Sequence, residues 1–119
     1  MNIDELLSRY AAGQRDFGNL KLIAVKLRNA VLRKANFRGT DLTSANLSYA
    51  DLSGVNFSNA TLLNANFRNA NLTRSDFTGA NIAGADFSNA NLTNANFSKT
   101  DLSQANLDQT SLNQAIVPE

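Results

Sequence analysis

Large apolar residues recur at every fifth position through most of the chain. All twenty positions taken at this interval from Phe17 to Leu112 are Leu, Phe or Ile. Two residues before most of them stands a small residue, usually Ala, and the residue between is mainly Asn or Asp. The repeating unit is therefore a small residue, Asn or Asp, a large apolar residue and two further, mostly polar residues.

This spacing excludes a long α-helix, because steps of five residues turn successive side chains by about 140° and spread them around the axis. It also excludes a straight strand, since a strand keeps one face only at even steps. The small and large positions alternate at intervals of two and three residues. The step of two fits an extended segment, so each unit is predicted to form one short side and one corner.

The phenylalanines predict how many sides make one circuit, because stacked coils place like side chains above one another. Two sets recur at intervals of 20 residues and form the predicted structural core: Phe17, Phe37, Phe57, Phe77 and Phe97 in one set, Phe67 and Phe87 in the other. Four sides per coil place the two sets on opposite walls, whereas three sides would place no Phe directly above another in the adjacent coil. Residues 15–114 are therefore predicted to wind into about five four-sided coils, each rising about 4.8 Å.

These units resemble the pentapeptide-repeat family, whose consensus Ala-(Asp/Asn)-Leu-x-x appears at residues 45–49, 50–54 and 90–94. The resemblance implies an all-β fold, a right-handed quadrilateral β-helix with the Leu, Phe and Ala positions facing inward. Its handedness comes from the resemblance alone. Residues 6–17 are also similar to the start of many cyanobacterial members.

The two ends of the chain are predicted to differ. Residues 1–14 are predicted to form a short capping α-helix, with Asn2 as its N-cap and one apolar stripe formed by Ile3, Leu6, Leu7, Tyr10 and Ala11. The first coil carries the outward apolar residues Ile23 and Val31, as expected if the helix covers them. Residues 115–119 are predicted to be a tail. The chain is expected to be a monomer or a dimer that pairs end to end through the C-terminal coil.

Composition removes most enzyme chemistry. The chain contains no Cys and no His, which removes thiolate nucleophiles, the usual zinc ligands and the side chain that titrates near neutral pH. Asn and Asp interchange before the large apolar residue, which favours a structural role in turns over a catalytic carboxylate. We therefore expect no enzyme activity, no cofactor and no metal site.

Neither a leader nor a membrane segment is expected. The first residues include Asp4 and Glu5 and lack the basic segment and long apolar run of a secretory signal. Uninterrupted apolar stretches are only a few residues long, against about 20 for a helix that crosses a bilayer. These features favour a cytoplasmic protein with no membrane contact.

Charge is unevenly distributed along the chain, although the net charge is only +1. Residues 1–38 carry eight basic and three acidic residues, and residues 39–119 carry three and seven. The basic residues are spread around the first coils, whereas a nucleic-acid track would favour one continuous stripe. Because the basic residues form no continuous stripe, weak nucleic-acid binding through this basic coil ranks only as the second alternative function.

The function favoured by these features is a non-enzymatic protein-interaction or scaffold module with an unidentified protein partner. Two outward aromatic or apolar residues, expected near one edge, and four basic residues are the candidate contacts: Tyr49, Leu63, Lys26, Arg28, Arg33 and Lys34. The first alternative comes from the resemblance, since gyrase-protecting members of the family mimic DNA with acidic columns. A DNA-mimic binder of a DNA topoisomerase would here use Asp51, Asp86 and Asp101.

Overall fold

The computed structural model describes residues 1–118 and leaves Glu119 outside the described residues. Within residues 1–118, one helix, α1 (Ile3–Ala11), precedes a winding backbone that pairs through single parallel β-bridges instead of extended strands. No helix in this part of the chain is long and apolar enough to cross a membrane.

Each bridge joins a residue to the one twenty positions later, as in Asp16 with Asn36 and Asn36 with Asn56. One circuit of the backbone therefore takes 20 residues, the interval that the phenylalanines predict. The N–H of Phe17 donates to the carbonyl of Asn36 at 2.7 Å, and the N–H of Asn36 donates back to Arg15 at 2.7 Å. The result is a β-helix, and the chain as a whole, with α1, measures 38 Å along its long axis and 20 by 18 Å across.

A tight turn follows each large apolar residue. The N–H of Val25 donates to the carbonyl of Leu22 at 3.2 Å, and the third residue of this turn, Ala24, has a φ of 59°. A positive φ at the third residue alone is typical of a type II turn. More than half of the equivalent positions hold Asn or Gly, the residues that adopt the left-handed conformation at least cost. The corners predicted from the five-residue spacing are these turns.

Four walls surround the core, and we name each by its column of large apolar residues. Wall 1 contains Phe17, Phe37, Phe57, Phe77 and Phe97; wall 2 contains Leu22, Leu42, Leu62, Ile82 and Leu102; wall 3 contains Leu27, Leu47, Phe67, Phe87 and Leu107; wall 4 contains Leu32, Leu52, Leu72, Leu92 and Leu112. The large apolar residues from Phe17 to Phe97 are at most 3% exposed. The three leucines of the last circuit are partly exposed, so the core opens towards the C-terminal end.

The phenylalanine rings stack along walls 1 and 3 and meet edge-on between them. Phe77 and Phe97 stack with centroids 4.9 Å apart, and Phe67 and Phe87 stack at the same distance. Across the core, the rings of Phe77 and Phe87 are 5.5 Å apart and nearly perpendicular, at 85°. Since both arrangements are favourable for aromatic pairs, the two sets fill one core from opposite sides.

Helix α1 closes the first circuit. The side chain of Asn2 accepts the N–H of Glu5 at 2.9 Å, Leu6 is fully buried, and Ile3 and Tyr10 pack partly against the core. The apolar stripe is narrower than predicted: Leu7 is 37% exposed and Ala11 is exposed too. Each of these two follows a core-facing residue by one position, and that single step rotates it about 100° away from the core.

The prediction that α1 covers the outward residues Ile23 and Val31 is wrong, because both are more than half exposed. The helix adds Leu6 to the core and packs Ile3 and Tyr10 partly against it, but it leaves Ile23 and Val31 uncovered. The hydroxyl of Tyr10 donates to the carbonyl of Arg33 at 2.8 Å and ties the helix to wall 4. Two apolar side chains of the first circuit therefore remain on the surface.

The regular pattern changes in the last circuit. The N–H of Gly84 donates to the carbonyl of Gln104, twenty residues on, whereas the N–H of Asn64 donates to Ala83, nineteen residues on, as at the other corners. The register on wall 2 is thus shifted by one residue, and Asp101 forms none of the described β-bridges. The ladder nevertheless continues to Ile116, which pairs with Asn96, two residues beyond the predicted boundary at 114.

Candidate functional site

The Asn and Asp side chains before the large apolar residues hold the turns. At fifteen such positions the side-chain oxygen accepts the N–H two residues later, at 2.8–3.3 Å: Asp16, Asn36, Asp41, Asn46, Asp51, Asn56, Asn66, Asn71, Asp76, Asn81, Asp86, Asn91, Asn96, Asp101 and Asn106. Asn and Asp carry the same oxygen at this position, which is why they interchange. The Asp carboxylates at these positions therefore stabilise turns, as the Asn amides do.

Two of the carboxylates have a lowered pKa. The hydroxyl of Thr43 donates to Oδ1 of Asp41 at 2.6 Å and lowers the pKa of Asp41, and the backbone N–H of Thr43 adds to the effect. The hydroxyl and N–H of Ser103 lower the pKa of Asp101 in the same way. Both groups are ionised at neutral pH, which is the wrong protonation state for a general acid.

The candidate contact residues are spread over three walls. Lys26, Arg28 and Tyr49 belong to wall 3, and Arg33 and Lys34 follow the large residue of wall 4. The guanidinium of Arg28 lies over the ring of Tyr49, 4.6 Å from its centroid, whereas Nε of Arg33 pairs with Asp51 at 2.5 Å. The structure thus joins Arg28 to Tyr49 and commits Arg33 to an ion pair.

A polar cleft surrounds Tyr49, and we call it the Tyr49 cleft. It has a volume of about 260 Å³ and is lined by Arg28, Ser48, Tyr49, Asn66, Arg68 and Asn69. Four of these residues, Ser48, Asn66, Arg68 and Asn69, are absent from the candidates predicted from the sequence. A signal for Arg68 exists, because it stands forty residues after Arg28 and so occupies the same position two circuits on.

Leu63 is not part of this cleft. Its side chain is half-buried, and its carbonyl accepts the N–H of Ser44 at 2.8 Å. Leu63 occupies the second position of a turn on wall 2, with the equivalent turns of the circuits before and after stacked on either side of it. The Tyr49 side chain lies in contact with Arg28 and shares its cleft with Arg68.

A second depression lies between α1 and wall 2, and we call it the N-terminal groove. Its volume is about 300 Å³, and its lining includes Met1, Ile3, Ile23, Val25 and, at its rim, the candidate Lys26. The groove is mainly apolar because α1 leaves Ile23 uncovered. Lys26 and Arg28, two residues apart, thus line different depressions.

Comparison with known sequences identifies the repeat. The family described as Pentapeptide repeats matches in 8 copies, over residues 21–59, 50–89 and 75–114. The chain belongs to the pentapeptide-repeat family. The resemblance carried by units such as Ala45-Asn46-Leu47 is confirmed. No curated protein matches the chain.

Solved structures of other pentapeptide-repeat proteins share the fold. One from Nostoc Pcc 7120 is 28% identical, with 99% of this chain and 86% of that chain covered and a TM-score of 0.79. One from the cyanobacterium Cyanothece 51142 is 23% identical, with 96% and 99% covered and a TM-score of 0.74. One from the Arabidopsis thaliana thylakoid lumen is 37% identical over 74% of this chain and 65% of that chain, with a TM-score of 0.61. These similarities establish a β-helix for this pentapeptide-repeat protein.

The three acidic residues of the DNA-mimic alternative do not form a column in this pentapeptide-repeat protein. Asp51 lies on wall 4, Asp86 on wall 3 and Asp101 on wall 2. Arg33 pairs with Asp51, and Nε of Arg68 lies 3.9 Å from Oδ2 of Asp86. The negative charge is therefore divided among walls and partly neutralised by arginine.

Proposed function

We propose that this pentapeptide-repeat protein is a non-enzymatic interaction or scaffold module, built on a right-handed quadrilateral β-helix of about five coils. The observation that carries the proposal is the pair formed by Tyr49 and Arg28. Tyr49 is 51% exposed although it stands on a hydrogen-bonded corner, and the guanidinium carbon of Arg28 lies over its ring. Tyr and Arg are the residue types enriched in the contacts that dominate protein–protein binding.

The backbone supports this proposal because it holds the contact residues in fixed positions. The N–H of Tyr49 donates to the carbonyl of Arg68 at 2.9 Å, and the N–H of Asn29 donates to the carbonyl of Ser48 at 3.0 Å. The corners that carry Arg28, Tyr49 and Arg68 are thus bonded to one another from circuit to circuit. A surface already ordered in this way loses little conformational entropy on binding.

The polar side chains favour binding over catalysis. Asn and Asp oxygens that would be the candidate ligands or bases are engaged in turns, as Asn46 is with the N–H and hydroxyl of Ser48. The sequence has no His or Cys to act as a base or nucleophile. We therefore assign the module a binding role.

The two alternatives have less support. DNA mimicry requires a continuous negative surface, and Asp51 and Asp86 each have an arginine nearby. Nucleic-acid binding requires cations along one continuous stripe, and Arg33 is held in an ion pair with Asp51. Inhibition of a gyrase by the purified protein would favour the first alternative, and a salt-dependent gel shift with duplex DNA would favour the second.

Self-association is a further part of the proposal. Leu112, Ile116 and Val117 are exposed at the C-terminal end of the described chain, next to the half-buried Leu102 and Leu107. Uncovered apolar residues beside unpaired backbone favour contact with another surface. We therefore propose that two copies pair end to end through this C-terminal coil.

Affinity capture from source-cell extract tests the interaction role. The wild-type protein is compared with Tyr49→Ala and Arg28→Ala, and with Arg74→Ala as a control that removes an exposed arginine from another corner. We expect a protein that is retained by the wild type and the control and reduced at least about tenfold by the two cleft variants. Equal retention by all four proteins, or enrichment of none, would contradict the proposal.

A further inference from the structure

We propose that the Tyr49 cleft is an oxyanion site that holds a carboxylate or phosphate group of a protein partner. The inference rests on the interaction role proposed above and names the chemistry of the contact. Its basis is the convergence of Arg28 and Arg68 on one cleft whose other polar groups include two side-chain amides, those of Asn66 and Asn69.

The two arginines form the sides of the site. Arg28 and Arg68 each follow the large apolar residue of wall 3, two circuits apart, and Ser48 occupies the same position on the circuit between them. Both arginines nevertheless line the same cleft. Two arginines that line one cleft suit a group with several acceptor oxygens.

Tyr49 orients Arg28 without using its hydrogen-bond donors. The guanidinium carbon of Arg28 lies over the ring of Tyr49, 4.6 Å from the ring centroid. This contact is a cation–π interaction, and among the described residues the N–H groups of the Arg28 guanidinium form no hydrogen bond or ion pair, which leaves them available to an acceptor. Tyr49 therefore positions one half of the oxyanion site.

Arg68 is also available to an anion. Its Nε lies 3.9 Å from Oδ2 of Asp86, which is too long for a direct hydrogen bond. Arg33 provides the contrast, since its Nε is 2.5 Å from Oδ2 of Asp51. An arriving oxyanion would therefore compete with a weak contact at Arg68 and with a strong one at Arg33.

Asn66 supplies a further donor to the cleft. Oδ1 of Asn66 accepts the N–H of Arg68 at 3.0 Å, which leaves the amide NH₂ of Asn66 to face other partners. The hydroxyl of Ser48 is already donated to Asn46 at 2.7 Å. At about 260 Å³ the cleft is smaller than most small-molecule pockets, which occupy roughly 300–1,000 Å³, so it suits one functional group of a larger partner.

Nuclear magnetic resonance titration tests the site on the full chain. The probes are three pentapeptides, Gly-Gly-X-Gly-Gly, in which X is phosphoserine, glutamate or serine. We expect the Nε–Hε signal of Arg68 and the side-chain amide signal of Asn66 to shift with phosphoserine, glutamate or both, and not with serine. The phosphoserine and glutamate arms separate a phosphate group from a carboxylate as the source of the oxyanion.

Variants separate a built site from general electrostatic attraction. Arg68→Ala should weaken binding of the anionic peptide about tenfold, as expected for the loss of charge-assisted hydrogen bonds, while Arg74→Ala should leave it unchanged. Arg68→Lys keeps the charge but loses the planar fork, so intermediate affinity is expected. Thermal unfolding checks that each variant remains folded. Lack of binding by both anionic peptides, or equal weakening by Arg68→Ala and Arg74→Ala, would overturn the inference.

The failure of this inference is distinguishable from failure of the interaction role. A captured partner that depends on Tyr49, together with no binding of the anionic peptides, overturns the oxyanion site and retains the interaction module. Peptide binding that depends on Arg68, together with no captured partner, retains the oxyanion site and overturns the proposed partner contact.

Discussion

Phe57 on wall 1 and Phe67 on wall 3 meet edge-on in the core, with ring centroids 5.5 Å apart and planes at 79°. Phe57 also stacks between Phe37 and Phe77, at 5.8 Å and 5.1 Å. Its ring therefore has aromatic neighbours in the circuits before and after it and across the core. A dense core of this kind relaxes little when one ring is removed.

Replacement of the Phe57 ring should lower the stability of the protein. We expect Phe57→Ala to lower the free energy of unfolding by about 3–5 kcal/mol, because the substitution leaves a cavity among three other rings. Chemical denaturation followed by circular dichroism measures the loss. Phe57→Leu is the control and should cost less, since leucine fills part of the space; no loss in Phe57→Ala would contradict the packing described.

Most of the core could be predicted because the same side chains recur at one interval. Phe57 and Phe77 are separated by 20 residues, and so are Phe67 and Phe87, which is enough to assign the number of sides and the opposition of the two columns. The one-residue slip that frees Asp101 could not be predicted in this way. The unit around Leu102 keeps the usual order of residue types, so its apolar pattern is the same in either register.

The left-handed backbone at the corners predicts that replacing Gly84 by Ala destabilises the protein more than replacing Gly54. Gly84 has a φ of +73°, and a Cβ added there would collide with Oδ1 of Asn64; Gly54 has a φ of +68°, and its Cβ would meet only Lys34 Cγ, at 3.4 Å. We expect Gly54→Ala to cost about 1 kcal/mol from backbone strain alone. Gly84→Ala should cost about 2 kcal/mol, since Asn64 must also move.

Denaturation midpoints of the two alanine variants check this prediction. The comparison is matched because both glycines occupy the third position of a turn. Equal destabilisation would show that the contact with Asn64 is relieved without cost, and a larger loss at Gly54 would contradict the arrangement of the two corners.

The hydrogen bond from Thr43 to Asp41 predicts a pH-dependent contribution to stability. This bond lowers the pKa of Asp41 in the folded protein. Its contribution to the free energy of unfolding is therefore fully present above the unfolded pKa of about 4, and it is lost as the pH falls through the folded pKa. We expect Thr43→Val to raise the pKa of Asp41. The stability difference between wild type and variant should therefore narrow as the pH falls below about 4.

Thr73→Val provides the control for this pH dependence. Thr73 makes the same bond, at 2.9 Å, to Asn71, which does not titrate. The stability difference caused by Thr73→Val should stay constant over the same pH range, measured by denaturation at each pH and by resonance titration of the Asp41 carboxyl carbon. A difference for Thr43→Val that also stays constant would contradict the assigned cause.

The open C-terminal end predicts concentration-dependent pairing. We expect sedimentation analysis to show a dimer at high protein concentration, and Leu112→Lys to abolish it by placing a charge in the proposed apolar interface. Ile23→Lys is the matched control, because Ile23 is 57% exposed on the first circuit and should leave the dimer intact. A strict monomer at all concentrations, or loss of the dimer in both variants, would contradict end-to-end pairing.

The candidate site could be predicted only in part. Tyr49 was identifiable as an aromatic residue at an outward position of its unit, and Arg28 as one of a basic group. Their contact depends on side-chain torsion angles, through which Arg28 reaches the ring of a residue on the next circuit. Residue types and spacing do not specify those angles, and they therefore did not separate Arg28, which lies over the ring of Tyr49, from Arg33, which pairs with Asp51.

Two adjacent leucines test how the helix closes the core. Leu6 is fully buried, whereas its neighbour Leu7 is 37% exposed. We expect Leu6→Ala to lower the free energy of unfolding by about 2–5 kcal/mol and Leu7→Ala by less than about 1 kcal/mol, because only the first removes buried apolar atoms. The two variants have the same change in helix propensity, so a difference between them reports packing against the first circuit. Hydrogen exchange of the first circuit should also be faster in Leu6→Ala than in Leu7→Ala. An equal loss of unfolding free energy in the two variants, with equal exchange rates, would contradict the insertion of Leu6 into the end of the core.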